Sequence, residues 1–338
     1  MGVSQVTLKA KVFRRLETDA ASMRVMVQLA DVEAARDRIA PHLRRTPLLD
    51  VGRVPCGSPR GRLTLKLENL QVTGSFKARG AVNKVLALPP EQAARGLVTA
   101  SGGNHGLGVA FAGRLAGVPV TIYLPANVPP AKAAKLERWG ARLVRHGEVW
   151  DDANEAALAA ARRDGTAYVH PFADPAVIAG QGTVGVEILE DAPEIDLAVV
   201  AIGGGGLIAG VATALKGLRP PIRILGVEPV GAPTLYASLR AGQVVELPEV
   251  TTAANTLAPR RSHETNFEII RNTVEEVVLV TDEEMREAAR WLWFEAGIAA
   301  ELSGAAAVAA LRAGKLPLDG ARSVCAVICG AGTDGIVE

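Results

Sequence analysis

The stretch Thr73-Gly-Ser-Phe-Lys-Ala-Arg-Gly80 is the most informative segment of this 338-residue chain, and Lys77 is its central residue. A strand-like run at 63–67 precedes it and a helical pattern at 78–88 follows, so Lys77 is predicted to lie where a loop opens a helix. The positive field at a helix N-terminus favours the neutral form of an amine, and a neutral amine is the nucleophile of Schiff-base chemistry. A lysine near a helix start is also commonly just solvated, so the motifs downstream must decide.

The composition indicates layered α/β architecture and excludes several classes of partner. Hydrophobic residues make up 49% of the chain, with 35 glycines and 4% aromatic residues, which fits helices packed closely on parallel sheets. The net charge of +1 gives no reason to expect a nucleic acid or an anionic membrane as partner. No apolar run approaches membrane-spanning length, and the N-terminal segment lacks a signal-peptide core. Three cysteines, Cys56, Cys325 and Cys329, argue against a disulfide framework and predict a cytoplasmic location.

Alternating apolar runs and helical stretches predict two α/β units. The first unit has predicted strands at 97–100, 118–124, 141–145 and 167–169, separated by helices at 105–115, 131–139 and 151–163. The second has predicted helices at 176–189, 207–216 and 304–313, one more beginning at Thr281, and strands at 197–202, 222–227, 277–280 and 324–328. We therefore predict two open twisted α/β domains. The large domain comprises 31–95 and 174–338, the small domain 96–173 is inserted in it, and residues 1–30 form an N-terminal extension that need not be ordered.

A glycine-rich turn follows the strand predicted at 197–202. It consists of Gly203, Gly204, Gly205 and Gly206, and a helix beginning at Leu207 comes next. Four residues without Cβ can curl their N–H groups around an anion, and the helix dipole adds to the attraction, so the turn predicts a phosphate site. The same glycines also form a loose dinucleotide fingerprint with Glu228 at the end of the following strand, which leaves a nicotinamide-dependent oxidoreductase as an alternative. A purely structural turn is a third interpretation.

A second loop, Ser101-Gly102-Gly103-Asn104-His105-Gly106, also follows a strand and opens a helix. Its backbone N–H groups and the Ser101 hydroxyl suit a carboxylate, and the Asn104 amide could donate to a phenolate-like oxygen. The loop could equally be a capped turn whose side chains satisfy only local backbone groups. We interpret His105 as structural and not as a general base.

The C-terminal strand ends in Cys329-Gly330-Ala-Gly332. Ligands of parallel sheets bind at the carboxyl ends of the strands, so Cys329 is predicted to point a thiol towards such a crevice. Cys325 and Cys329 are four residues apart on one strand, too far apart for an undistorted disulfide, and no further Cys or His completes a zinc site. A buried structural thiol is the alternative.

Together these motifs resemble the fold type II, tryptophan-synthase-β-like family of pyridoxal-phosphate enzymes, and within it the threonine/serine dehydratase and serine racemase branch. The resemblance covers about 46–334 and also includes Lys66-Leu-Glu-Asn-Leu-Gln, His170-Pro, Gly180-Gln-Gly-Thr and Gly226-Val-Glu-Pro. It implies pyridoxal 5'-phosphate in the cleft between the two domains, and homodimers or higher homo-oligomers. It also implies dehydration and deamination of L-threonine or L-serine to 2-oxobutanoate or pyruvate plus ammonia.

The resemblance also implies roles for individual residues. Lys77 forms a Schiff base with the cofactor and Phe76 packs against its ring. Asn104 bonds the 3'-oxygen, Cys329 faces the pyridine nitrogen, and the phosphate is held by Gly203, Gly204, Gly205, Gly206 and Leu207. The substrate carboxylate is held by Ser101, Gly102, Gly103, Asn104 and His105.

Departures from the family pattern keep several alternatives open. Gly102 stands where racemases of this branch commonly carry serine, which disfavours a serine racemase. The family's cation site would use Glu228 and the carbonyl near Ala232, but Thr234 replaces its second acid, so we predict no metal site. Unusual segments at 254–256 and 301–304 leave 3-hydroxyaspartate or phenylserine as possible substrates. A β-replacement synthase and a non-catalytic cofactor-binding protein are further alternatives.

The chain ends shortly after the Cys329 motif. We therefore expect no regulatory domain of the kind that biosynthetic threonine deaminases carry, and no isoleucine feedback through one.

Overall fold

The computed structural model describes residues 26–53 and 61–336, and its strands form two separate sheets. The predictions for residues 1–25 and for Cys56 lie outside the described residues. In this part of the chain the strands are β1 (Leu48–Arg53), β2 (Arg62–Lys66), β3 (Leu97–Ala100), β4 (Val120–Leu124), β5 (Arg142–Arg145), β6 (Ala167–Tyr168), β7 (Leu197–Ala201), β8 (Arg223–Pro229), β9 (Glu276–Val280) and β10 (Ser323–Val327).

The larger sheet has six strands in the order β1-β2-β10-β7-β8-β9. All neighbours are parallel except β1, which pairs antiparallel with β2 at the edge. The last strand in the chain, β10, is inserted between β2 and β7, with Cys325 opposite both Thr64 and Ala198. This order places the carboxyl ends of β2, β10 and β7 side by side, which is where the lysine loop, Cys329 and the glycine turn begin.

The smaller sheet has four parallel strands in the order β5-β4-β3-β6. The central strand β3 is buried along its whole length, as are β7 and β10 in the larger sheet. Parallel strands covered on both faces read as continuous apolar runs, which explains why these strands could be located from sequence.

The described helices are α1 (Leu29–Ile39), α2 (Lys77–Leu86), α3 (Pro90–Ala94), α4 (Asn104–Ala116), α5 (Pro130–Arg138), α6 (Trp150–Asp164), α7 (Pro175–Asp191), α8 (Gly206–Leu218), α9 (Thr234–Ala241), α10 (Glu264–Thr273), α11 (Asp282–Ala296) and α12 (Leu302–Arg312). Side chains cap the N-termini of several of these helices. Asp174 accepts from the first amides of α7, and Thr281 and Glu284 form the predicted capping box at α11.

Helices α2 and α7 approach each other closely at two glycines. A Cβ on Gly80 would lie 2.7 Å from the carbonyl oxygen of Val177, and one on Gly180 would lie 2.7 Å from that of Arg79. Only glycine permits this backbone contact. The contact fixes α2, and with it Lys77, against the long helix that follows the smaller sheet.

The predicted α/β class is confirmed, and most predicted elements lie within a few residues of the observed ones. The strands of the smaller sheet all come from 97–168, inside the predicted small domain, while the exact domain boundaries remain a prediction. The sequence analysis did not predict β1, α3, α9 or α10. Residues 26–30 include the start of α1, so part of the predicted extension is ordered helix.

No helix in the described part of the chain is long and apolar enough to cross a membrane. Among residues 26–53 and 61–336 there is also no cluster of three His, Cys, Asp or Glu side chains that could hold a metal ion.

Candidate active site

Lys77 is the first residue of α2, as predicted, and its side chain points towards the smaller sheet. Its Nζ donates a hydrogen bond of 2.7 Å to the carbonyl oxygen of Pro171 and lies 5.1 Å from the centre of the Phe76 ring. Burial lowers the pKa of Lys77 from 10.5 to about 8, against the opposing influence of Cys329 and Glu301. Desolvation is the largest cause of this shift.

The loop that carries Lys77 is attached to the end of β10 by backbone hydrogen bonds. The amides of Asn69 and Phe76 donate to the carbonyl oxygens of Ile328 and Cys329, at 2.9 and 3.3 Å. Thr73 has a φ of 69°, a left-handed conformation that is rare for a β-branched residue. Such strain persists only where the surrounding structure enforces it, and it often marks a functional loop.

Cys329 lies at this junction and is 3% exposed. Its Sγ donates to the carbonyl oxygen of Ser303 at 3.3 Å. Burial raises the pKa of the Cys329 thiol well above its usual range, so the group is a neutral S–H at physiological pH. Cys325 is likewise buried and free.

The four-glycine turn joins β7 to α8 with its backbone packed tightly against neighbours. A Cβ on Gly204 would lie 2.3 Å from the Phe172 ring, and one on Gly203 would lie 2.8 Å from the carbonyl oxygen of Thr256. Gly205 has a φ of 91°, which favours glycine on conformational grounds as well. Asn266 holds the turn in place, because its Nδ2 donates to the carbonyl oxygen of Gly204 at 2.7 Å.

The amides of this turn are available to an anion. Among the hydrogen bonds of residues 26–53 and 61–336, none is donated by the backbone N–H groups of residues 203–205. The next residues begin α8, where the first N–H groups of a helix have no partner within it. A row of unpaired donors at a helix N-terminus fits a phosphate group.

Asn104 is the first residue of α4, at the end of the loop that follows β3. Its Nδ2 donates to Oε1 of Glu301 at 2.8 Å. The preceding loop is compact: the Gly103 amide donates to the Ser101 hydroxyl at 3.3 Å, and a Cβ on Gly102 would lie 2.9 Å from a methyl group of Val128.

His105 is buried, and its Nε2 lies 3.1 Å from the Thr99 hydroxyl and 2.9 Å from the carbonyl oxygen of Val169. Burial lowers the pKa of His105 to about 3, so the ring is neutral. Its imidazole thus joins two neighbouring strand ends of the smaller sheet, in line with the structural interpretation.

These predicted motifs converge at one place between the two sheets. Lys77 reaches Pro171 beyond the end of β6, and a Cβ on Gly330 would lie 3.2 Å from Nδ2 of Asn104. The Phe172 ring, one residue after Pro171, covers the glycine turn. The fold therefore brings together an amine of lowered pKa, an amide, a neutral thiol and a phosphate-type cradle.

Several residues at this site were not assigned by the sequence analysis: Pro171, Phe172, Thr256, Asn266, Glu301 and Ser303. Glu301 is the most notable, because burial raises its pKa from 4.5 to about 7. Pro171 lies in the motif His170-Pro and Phe172 follows it, and the other sequence signals were the segments 254–256 and 301–304. Asn266 carried no such signal.

A cluster of buried ion pairs lies next to the loop that carries Lys77. Arg79, two residues after Lys77, pairs with Glu68 at 2.8 Å and with Glu187 at 2.7 Å. Lys66 also pairs with Glu187, at 2.6 Å. The two cations and two acids balance in charge, which is the condition under which buried ionic groups are tolerated.

Glu228 and Ala232, the weak candidates for a metal site, form hydrogen bonds with backbone amides. The two carboxylate oxygens of Glu228 accept from the amides of Leu235 and Tyr236 at 2.9 and 2.8 Å, and the carbonyl oxygen of Ala232 accepts from the Thr234 amide at 3.0 Å. Burial raises the pKa of Glu228 to about 8. Its carboxyl group thus caps α9.

Comparison with known proteins agrees with this geometry. Residues 39–330 match the family described as "Pyridoxal-phosphate dependent enzyme". The L-threonine ammonia-lyase of Thermotoga maritima is 41% identical over 309 residues, which are 91% of this chain and 76% of that protein. The L-threonine dehydratase catabolic TdcB of Staphylococcus aureus is 38% identical over 321 residues, 93% of this chain and 92% of that protein.

Among solved structures, that of maize serine racemase superimposes with a TM-score of 0.85 at 32% identity, covering 90% of this chain and 94% of that one. The match to the family covers both sheets, Lys77, Asn104, the four-glycine turn and Cys329. It identifies a pyridoxal-phosphate enzyme in place of the nicotinamide-dependent alternative. The chain belongs to the pyridoxal-phosphate dependent enzyme family.

Proposed function

We propose that this protein is a pyridoxal-phosphate-dependent ammonia-lyase that acts on L-threonine or L-serine. The products are 2-oxobutanoate or pyruvate, each with ammonia. Relatives named L-threonine ammonia-lyase and L-threonine dehydratase, 38 to 41% identical over most of the chain, support the reaction class and the substrate.

The residues present fit the cofactor. The Lys77 amine would hold its aldehyde, the unpaired amides of 203–207 its phosphate, Asn104 its 3'-oxygen and Cys329 its ring nitrogen, with Phe76 beside the ring. When bound, the cofactor supplies an electron sink that acidifies the α-carbon of an amino acid. The observation that carries the proposal is the convergence of the Lys77 amine and the unpaired amides of the glycine turn on either side of residues 171–172.

Lys77 is the group suited to move the α-proton. With a pKa of about 8, roughly one amine in ten is neutral at pH 7, against fewer than about one in a thousand at the ordinary value of 10.5. A neutral amine accepts a proton at Nζ and releases it at the same place later in the cycle. The carbonyl of Pro171 accepts a hydrogen bond from Nζ and orients it.

The loop at 101–105 would bind the substrate carboxylate through backbone N–H groups. The thiol of Cys329, held neutral by burial, would leave a ring nitrogen unprotonated, because a neutral S–H is a far weaker acid than a carboxyl group. Cys329 would thus make the electron sink weaker than a carboxylate at this position would, which suits loss of a β-hydroxyl group.

Purified protein tests the proposal directly. We expect an absorption band near about 410 nm that is lost on borohydride reduction and in Lys77→Ala. Ammonia and 2-oxo acid should form from L-threonine or L-serine. Absence of both products with a cofactor-loaded protein would contradict the proposal.

Other substrates are outcomes of the same assay. A panel containing 3-hydroxyaspartate and phenylserine distinguishes a dehydratase of another β-hydroxy amino acid, and formation of D-serine would reveal racemase activity. Gly102 carries no hydroxyl group to reprotonate the opposite face of the α-carbon, which supports dehydration.

We also propose a cytoplasmic location and a homodimer or higher homo-oligomer. The two described cysteines are both free and buried, which supports a reducing compartment. Light scattering of the purified holoenzyme would measure its mass directly, and a monomer at micromolar concentration would contradict the oligomer.

A further inference from the structure

Glu301 is a partly buried acid at the centre of the site, outside the residues assigned a role above. It precedes the first residue of α12, and its Oε1 accepts two hydrogen bonds, from Asn104 Nδ2 at 2.8 Å and from the Thr256 hydroxyl at 3.2 Å. A Cβ on Gly330 would lie only 2.4 Å from the same oxygen, so the backbone beyond Cys329 also closes on it.

The chemistry of the two partners restricts how Asn104 can be oriented. An ionised carboxylate only accepts hydrogen bonds, whereas an asparagine side chain has two N–H donors at one end and an acceptor oxygen at the other. Glu301 therefore selects the amide orientation in which Nδ2 faces it. The second N–H of the same nitrogen is then free to donate to another acceptor in the site.

Pairing with a cation does not explain why Glu301 lies in the site. Within residues 26–53 and 61–336 it forms no ion pair with Lys or Arg. The charged or titratable groups that influence it are Lys77 and Cys329 in the site, with Asp334 and Lys132 from the C-terminal segment and α5. Burial is the largest effect and raises its pKa to about 7.

We propose that Glu301 is a positioning residue for Asn104, and that its carboxylate presents the second amide N–H of Asn104 to the ring oxygen of the cofactor. The inference rests on the proposed role of Asn104. Protonated Glu301 can donate as well as accept, so it no longer distinguishes the two amide orientations. Loss of the charge therefore weakens cofactor binding as the pH falls.

Cofactor titration tests this proposal without relying on turnover. Apo-protein is titrated with pyridoxal phosphate on either side of the pKa of about 7, using wild type, Glu301→Gln and the exposed control Glu295→Gln. We expect Glu301→Gln to bind about tenfold more weakly above this pKa, as loss of one oriented hydrogen bond implies, and to lose the pH dependence that wild type shows across it. Lys77 and the cofactor phosphate titrate in both proteins, so the difference between them isolates Glu301.

The outcomes separate the alternatives. Wild-type affinity and wild-type pH dependence in Glu301→Gln would overturn the proposal. If that variant does not fold, Glu301→Asp decides: it keeps an acceptor-only group, so retained pH dependence supports the proposal and its loss overturns it. If wild type binds the cofactor yet releases no ammonia from any hydroxy amino acid, the proposed reaction fails while this comparison still decides the role of Glu301.

Discussion

The Lys77 amine and the Pro171 carbonyl oxygen, 94 positions apart in the chain, are joined by a hydrogen bond of 2.7 Å. Lys77 opens the helix that follows β2 of the larger sheet, and Pro171 follows the last strand of the smaller one. The bond therefore crosses between the two sheets. The amine is buried at this place, and desolvation is the main reason for its lowered pKa.

The reactivity of Lys77 should reflect this burial. In the cofactor-free protein we expect the rate of Lys77 modification by a small amine-reactive reagent to rise with pH and reach half its maximum near 8. Exposed Lys135 serves as the internal control for reagent concentration and access. Mass spectrometry of the labelled peptides measures both rates, and a Lys77 midpoint at the ordinary lysine value of about 10.4 would contradict the lowered pKa.

Gly204→Ala should abolish tight cofactor binding. The added methyl would lie 2.3 Å from the Phe172 ring, so the turn must move and its amides would no longer point to one phosphate. We expect an increase in the dissociation constant of at least about tenfold, since several charge-assisted hydrogen bonds are affected. Thr213→Ala, in the helix that follows the turn, should bind as wild type does. Similar binding by both variants would argue against a phosphate at this turn.

Gly102→Ala should lower the rate with the substrate by distorting the carboxylate loop. Its methyl would lie 2.9 and 3.1 Å from the two methyl groups of Val128. Val128→Ala removes both, so the double variant should recover much of the loss, with a coupling of about 0.5 to 3 kcal/mol typical of residues in contact. Additive effects of the two substitutions on kcat/KM would show that the collision is not the cause.

Arg79→Met should strongly destabilise the fold. It leaves Glu68 and Glu187 buried without their shared cation, and removal of one partner from a buried pair typically costs about 3 to 5 kcal/mol. Arg36→Met, which disrupts only exposed pairs with Asp37 and Glu190, should cost less than about 1 kcal/mol. Urea unfolding measures the free energy of unfolding of the two variants. Comparable losses of stability in both would show that the buried cluster contributes no more than exposed ion pairs do.

Glu228 should make stability fall with rising pH. Its pKa is about 8 in the folded protein and 4.5 when unfolded, so between these values the folded state holds a proton that the unfolded state has released. The contribution is complete below pH 4.5 and declines as the pH rises to about 8. Glu228→Gln should flatten this decline in the free energy of unfolding, whereas Glu276→Gln, at an exposed position, should leave it unchanged. If the free energy of unfolding of Glu228→Gln declined with pH as steeply as that of wild type, Glu228 would not hold a proton in the folded protein.

Prediction from sequence succeeded where the local pattern carries the structural information. The strand predicted at 197–202 is observed as Leu197–Ala201, and helices at 105–115 and 207–216 lie within a few residues of α4 and α8. In these segments continuous apolar runs alternate with glycine turns, which a parallel sheet covered on both faces requires.

Prediction from sequence failed for α9 and α10, because neither segment has a strong local signal. The sequence of α10 contains asparagine and threonine, which have low helix propensity, and the helix forms because Asn266, Phe267 and Ile270 are buried against the core. The tertiary contact also gives Asn266 its role, since its amide reaches Gly204 from 62 positions away.

The amino-acid sequence alone determined the chemical groups, their order and the α/β class: a lysine at a helix start, a four-glycine turn and a cysteine at a strand end are local features. The tertiary structure alone decided how these groups are tuned. The pKa values of Lys77 and Glu301 depend on burial, and the orientation of Asn104 depends on a carboxylate 197 positions away. Desolvation and hydrogen-bond direction arise from neighbours that only the fold brings together.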